Sequence, residues 1–272
     1  NEIGTIQPLA EIARRIKKFR DTKTDKMSGP FFHTDACQAA GYLDLDVKNL
    51  GVDLMVMNGS KIYGPKGVGA LYVRKGVRIK PMFFGGAQEG KRRAGTENIS
   101  GIVGFAEALK IANDERDEEG ARVKNLRDKL IDGILKIIPR TVLNGDRDLR
   151  LPNNVNISIL DIEGEGVILY LDSYGIACST GSACTSESLD PSHVILALGR
   201  PYEYAHASIR FTLGRSTTRE DVDRVLEVLP RVTETLRKIS PIKVDIDAKS
   251  MSHPEAFAGE GLRVKAKSKN YK

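Results

Sequence analysis

The chain has 272 residues, 40% of them hydrophobic and 29% charged, an ordinary globular composition with room for one large or two medium domains. Its net charge of +6, from 42 basic and 36 acidic residues, is spread along the chain without a basic stripe interleaved with aromatics, which argues against direct nucleic-acid binding. No apolar run reaches the length of a membrane span and no secretory signal opens the sequence, while three cysteines, an odd number, argue against a disulfide framework and for a reducing, cytoplasmic setting.

The first residue is Asn1, not methionine, and the sequence is expected to lack its beginning. Residues 2–20 carry Ile6, Leu9, Ile12, Ala13, Ile16 and Phe19 at close to helical spacing, with Pro8 near the start. After a polar loop over 21–30, residues 31–34 predict a short strand ending at Asp35, and the apolar run 52–57 predicts the next. Residues 70–73 are strand-like and 77–84 form a further apolar segment. A long helix is expected over 100–140, with a charged run at 113–119 as a solvated face or bend and Pro139 as its stop. Beyond it, 155–159 predicts a strand, a helix runs through Leu171, and 205–213 predicts a strand carrying Arg210. Residues 218–239 predict a closing amphipathic helix capped by Thr217 or Thr218, with Glu220 and Asp221 in its first turn.

This order predicts an α/β fold with a mostly parallel sheet, whose ligand crevice lies at the carboxyl ends of its strands. Residues 1–117 are expected to be part of a large domain, 118–240 a smaller α+β domain, and 241–272 a basic tail without periodicity.

The densest chemical signal is Asn58-Gly59-Ser60-Lys61-Ile62-Tyr63-Gly64-Pro65-Lys66-Gly67, between two strand-like runs. A lysine at a strand end beside a small hydroxyl residue suits a Schiff-base nucleophile or a point charge for phosphate, and a plain solvated loop lysine is equally compatible. Asp35 falls at the neighbouring strand end, where a carboxylate can keep a pyridinium nitrogen protonated or simply cap a helix; Gln38 follows three residues on. Arg92, Arg93, Gly95 and Thr96 make either an anion-binding loop or a solvated basic one. Cys184 lies in the Gly/Ser/Thr-rich stretch 181–186, polar enough to leave a thiol accessible. Cys178 and Cys37 suit packing, and a zinc site from Cys178, Cys184 and His193 matches no standard spacing, so no metal is expected.

Together Asp35-Ala36-Cys37-Gln38, Ser60-Lys61 with its following Gly64-Pro65-Lys66-Gly67, Arg93-Ala94-Gly95-Thr96-Glu97-Asn98, Gly181-Ser182-Ala183-Cys184-Thr185-Ser186 and Ser208-Ile209-Arg210 resemble the cysteine desulfurases of the NifS/IscS type. These are fold type I pyridoxal-phosphate enzymes of the class V aminotransferase group, and the resemblance runs in unbroken order to about residue 240. It implies that Lys61 holds pyridoxal 5'-phosphate and moves the α-proton of the substrate, L-cysteine. Asp35 would pair with the pyridine nitrogen, and Gln38 and Asn1 with the ring oxygen, Asn1 also facing the substrate. Ser60 would bond the phosphate where the family has histidine, and Thr96 would reach the phosphate of a second subunit in a homodimer. Arg210 would clamp the substrate carboxylate. Cys184 would take the sulfur as a persulfide and pass it to an acceptor protein for iron–sulfur clusters or tRNA thiolation, with a transient cluster contact at Cys184. The departures are Ser60 and Asn58 in place of the family's usual residues, a longer 21–30 loop, and a tail unlike the family's scaffold-docking segment. The rival readings are another class V enzyme, such as a selenocysteine lyase or transaminase, and a catalytically incompetent fragment or paralogue that only binds partners.

Overall fold

A computed structural model describes residues 1–23, 29–181 and 191–244. Two three-stranded sheets organise them. The first consists of β1 His33–Asp35, β2 Leu54–Asn58 and β3 Gly69–Val73, in that order. Strands β1 and β2 run parallel with Asp35 opposite Val56, and β2 and β3 run antiparallel with Asn58 opposite Gly69.

Helix α1, Leu9–Asp21, precedes the sheet, and α2, Val47–Leu50, lies in the crossover from β1 to β2. Asp46 starts α2 by accepting hydrogen bonds from Lys48 N–H (2.7 Å) and Asn49 N–H (3.3 Å), and Gly51 ends it in the left-handed conformation (φ 68°). A Cβ on Gly51 would stand 2.8 Å from Ala13 of α1, so this glycine also permits the packing of α1 on α2.

The predicted helix from residue 2 starts only at Leu9. Pro8 lacks the N–H a helix interior needs, and residues 4–6 pair with 149–151 instead: Leu151 N–H donates to Gly4 O and Ile6 N–H to Leu149 O, both at 2.9 Å. The apolar segment 77–84 forms no strand and leaves Met82, Phe83 and Phe84 exposed. A helical turn, α3 Gln88–Lys91, follows, then α4 Ile99–Asp114 and α5 Arg116–Ile137. The long helix expected over 100–140 is thus two helices, which meet at Glu115 inside the charged run.

The second sheet contains β4 Thr141–Leu143, β5 Asn154–Ile159 and β6 Ser208–Thr212, all antiparallel. Between β5 and β6 lie α6 Gly164–Ser173, α7 His193–Ala197 and α8 Tyr202–His206. Residues 205–207, expected in strand, belong to α8 and its end. Helix α9, Arg219–Ile239, closes the described fold. Thr218 and Asp221 form a capping box at its start, reciprocally satisfying two backbone donors.

The main core lies where α5, α6 and α9 cover the second sheet. Val155, Ile157 and Ile159 of β5 meet Ile131 and Ile134 of α5, Leu171 of α6 and Leu229 of α9, all fully buried. Each such side chain contributes about 1.5–3 kcal/mol. The first sheet has smaller clusters around Val52 and Met55 and around Ile62 and Phe105. Among the described residues no helix is long and apolar enough to cross a membrane.

Candidate active site

Lys61 lies in a short 3-10 turn, Gly59–Ile62, directly after β2. Asn58 organises that turn: its Oδ1 accepts from Ser60 N–H at 2.8 Å and from the Ser60 hydroxyl at 2.6 Å. Gly59 is required by crowding, because a Cβ there would stand 2.8 Å from the Pro65 carbonyl oxygen. The Lys61 side chain emerges exposed and makes no hydrogen bond or ion pair among the described residues.

Asp35 ends β1, the parallel neighbour of β2, so the carboxylate and the lysine both lie at the carboxyl ends of adjacent strands. Its Oδ1 accepts from Cys37 N–H at 2.9 Å. Hydrogen bonding from the Cys37 side chain and backbone, helped by the charge of His33, holds the Asp35 carboxyl below its ordinary value despite partial burial. Asp35 is therefore an anion at neutral pH. Lys61 lies within electrostatic reach of this corner, for its charge acts on the Cys37 thiol. Burial, with the Asp35 carboxylate beside it, pushes that thiol up to about 12. Gln38 follows in the same turn, partly buried and without a hydrogen-bond partner among the described residues.

Arg210 sits on β6 of the other sheet, opposite Asn156. Its backbone pairs with Ser179: Arg210 N–H donates to Ser179 O at 2.6 Å and Ser179 N–H to Arg210 O at 3.1 Å. The Arg210 Nε is buried without a hydrogen-bond partner among the described residues. A desolvated guanidinium donor left open in this way is suited to an anionic ligand that completes it.

The two sheets are tied beside Lys61. Tyr63, in the left-handed conformation (φ 63°), accepts through its hydroxyl from Arg215 N–H at 2.8 Å, and the Arg215 guanidinium lies 5.5 Å from the Tyr63 ring centroid. Arg122 of α5 fastens the same loop, donating to the carbonyls of Gly214 (3.1 Å), Arg215 (3.2 Å) and Thr217 (2.8 Å). Neither Tyr63 nor Arg122 stood out in the sequence. An aromatic residue inside a Gly/Pro turn next to the lysine was the available signal for Tyr63; Arg122 offered none.

Thr96 lies apart, on the exposed loop before α4, two residues from Asn98, whose side chain accepts from Gly101 N–H at 3.1 Å and starts that helix. Cys184 lies outside the described residues.

The profile of the aminotransferase class-V family matches residues 1–225, and the chain belongs to that family. Its architecture is the mixed α/β one of the fold type I pyridoxal-phosphate enzymes. Among particular proteins, it is 52% identical over 242 residues to the cysteine desulfurase IscS of Methanosarcina thermophila, covering 89% of this chain and 57% of that protein. It is 50% identical over 247 residues to the cysteine desulfurase IscS of Clostridium botulinum (strain Hall), covering 90% and 60%. The solved NifS-like protein from Rickettsia africae superposes with a TM-score of 0.75 at 31% identity, over 86% of this chain and 59% of that one. The chain spans about three fifths of the length of the curated relatives it matches.

Proposed function

We propose that this chain acts as a pyridoxal-phosphate-dependent cysteine desulfurase. The observation that supports the reading is the placement of Lys61 and the ionised Asp35 at the same ends of adjacent parallel strands, with an arginine on the second sheet whose buried donor has no partner among the described residues. The residues fit the cofactor. Lys61 would carry it covalently, Asp35 would meet the ring nitrogen, Gln38 and Asn1 the ring oxygen, and Ser60 the phosphate, joined by Thr96 of a second copy in a homodimer. When bound, pyridoxal phosphate supplies an electron sink for charge developing at the substrate's α-carbon.

The chain's own groups do the rest. Arg210 holds the carboxylate of L-cysteine, which fixes the orientation of its α-carbon and sulfur. The Lys61 amine takes the α-proton and returns a proton to carbon as the product forms. Cys184 attacks the substrate sulfur as a thiolate. The substrate's carbon–sulfur bond breaks, a sulfur–sulfur bond forms on Cys184, and the carbon skeleton leaves as L-alanine. Cysteine and one enzyme thiol thereby become alanine and one enzyme persulfide, with atoms and electrons balanced and no outside oxidant. The persulfide sulfur then passes to a thiol of an acceptor protein.

The test is alanine release from L-cysteine by the chain supplied with pyridoxal phosphate. Parent protein is expected to form alanine, Lys61→Ala to form none, and Cys184→Ala to lose turnover while keeping the cofactor's absorption. Full turnover in Cys184→Ala would overturn the reading.

A further inference from the structure

We propose that Tyr63 is a positioning residue: its hydroxyl holds the turn that carries Lys61 against the loop that follows the strand of Arg210. The inference rests on the desulfurase reading of Lys61 and Arg210, and adds to it a residue that acts through those two.

Tyr63 follows Lys61 by two residues and closes its 3-10 turn, donating its backbone N–H to Gly59 O. Its backbone is left-handed (φ 63°), a conformation that a bulky residue keeps only where its surroundings impose it. Glycine would be relaxed there, and burial does not explain the tyrosine, because the residue is 64% exposed. What the side chain gains is contact with Arg215. The Tyr63 hydroxyl accepts from Arg215 N–H at 2.8 Å, and the Arg215 guanidinium lies 5.5 Å from the ring centroid. The approach is close enough to need a glycine opposite. A Cβ on Gly214 would stand 2.7 Å from the Tyr63 hydroxyl oxygen but 3.8 Å from the ring carbon that bears it, so the hydroxyl alone sets the space. Gly214 is not itself left-handed, which leaves this crowding as the visible demand for glycine.

Each side of the contact is closed by its own hydrogen bonds, so one hydroxyl suffices to register one against the other. On the Lys61 side, Asn58 Oδ1 holds Ser60, Gly59 N–H donates to Val68 O at 3.0 Å, and Gly64 N–H donates to Gly59 O at 2.9 Å. On the other side, Gly214 N–H donates to Thr217 Oγ1 at 2.9 Å and Thr217 N–H to Gly214 O at 3.0 Å. Arg122, paired with Glu119, binds three carbonyls of the same loop. Arg210 lies five residues before Arg215, on the strand that runs into this loop. The Tyr63 hydroxyl is therefore a short bridge from the turn of Lys61 to the strand of Arg210. Lys61 moves the α-proton of a substrate whose carboxylate Arg210 holds, so proton transfer depends on keeping these two pieces in register.

The test is a double-mutant cycle on the cofactor-loaded protein with Tyr63→Phe, Gly214→Ala and the two combined. Tyr63→Phe keeps the ring and removes the acceptor; Gly214→Ala keeps the acceptor and drives a methyl group into it. Alanine formation gives kcat and KM, with the cofactor absorption recorded alongside. Amide hydrogen exchange at Arg215 is measured in protein stripped of cofactor. Tyr63→Phe is expected to lower kcat roughly tenfold with KM and absorption unchanged. It is also expected to speed exchange at Arg215 roughly fivefold, the worth of one neutral hydrogen bond. Gly214→Ala is expected to lower kcat likewise, yet to add nothing to Tyr63→Phe in the double variant, where the crowded oxygen is gone. A kcat at the parent level in Tyr63→Phe would overturn the proposal, as would a kcat loss accompanied by loss of absorption, or losses that add in full in the double variant. A parent that forms no alanine would remove the desulfurase reading, and exchange at Arg215 would then decide the tie by itself: the parent rate in Tyr63→Phe overturns it, the faster rate upholds it.

Discussion

At Arg210 a single atom carries the specificity argument. The Nε is buried and unpaired among the described residues, and β6 fixes the backbone behind it through Asn156 and Ser179. Lysine keeps the charge there but loses the planar fork. Arg210→Lys is expected to raise KM for L-cysteine by roughly 10–100-fold, the worth of one charged hydrogen bond, while kcat and cofactor binding change little. Steady-state kinetics on the two proteins check this. The cysteines make a second residue-scale contrast. Burial and the Asp35 carboxylate push Cys37 up to about 12, and burial pushes Cys178 up to about 11. Both thiols stay protonated through neutral pH, and their labelling rises only as the pH approaches those values. Alkylation at pH 8 followed by peptide mapping is expected to mark Cys184 well before either of them.

Helix ends and short strands are where the sequence was most informative. The Thr218 cap and the acidic first turn of α9 were legible because capping is a local chemical event with a local signature. Thr218→Ala is expected to cost about 1 kcal/mol of stability, read from thermal or denaturant unfolding, with the site unaffected. The strand ends at Asp35 and Lys61 were legible for the same reason, since each apolar run stops at a polar residue and turn chemistry follows. The start of α1 was not. Residues 4–6 fall in the stretch with helical spacing but pair with 149–151, a partner more than 140 positions away that periodicity cannot report. The break at Glu115 and the contact of Tyr63 with Arg215 were hidden likewise, because both depend on how the two sheets meet.

Across the whole molecule, polar groups join what the apolar cores leave separate. Asp53, buried behind β2, accepts from Phe32 N–H at 2.7 Å and from Arg74 Nε at 2.6 Å, and pairs with Arg20 of α1. Burial acts to raise its carboxyl, but the hydrogen bonds of Arg20 and Phe32 and the charges of Arg74 and Arg20 outweigh it, and the net shift is downward. A carboxyl lowered in the folded state contributes stability above its unfolded value of 3.8, and that contribution is lost as the pH falls through the lowered folded value. Asp53→Asn is expected to remove about 3–5 kcal/mol at neutral pH and to flatten the acid limb of the stability curve, measured by denaturant unfolding across pH. The candidate residues are divided between the sheets, with Lys61 and Asp35 at the ends of strands of one and Arg210 on a strand of the other. The motifs announced these residues one by one.

The most direct measurement is the mass of the peptide containing Cys184 after one equivalent of L-cysteine is added to the cofactor-loaded protein under anaerobic conditions. The account predicts a gain of one sulfur atom on Cys184 together with one equivalent of alanine. Alanine produced with no sulfur on Cys184, or sulfur found on Cys37 or Cys178 instead, would contradict it.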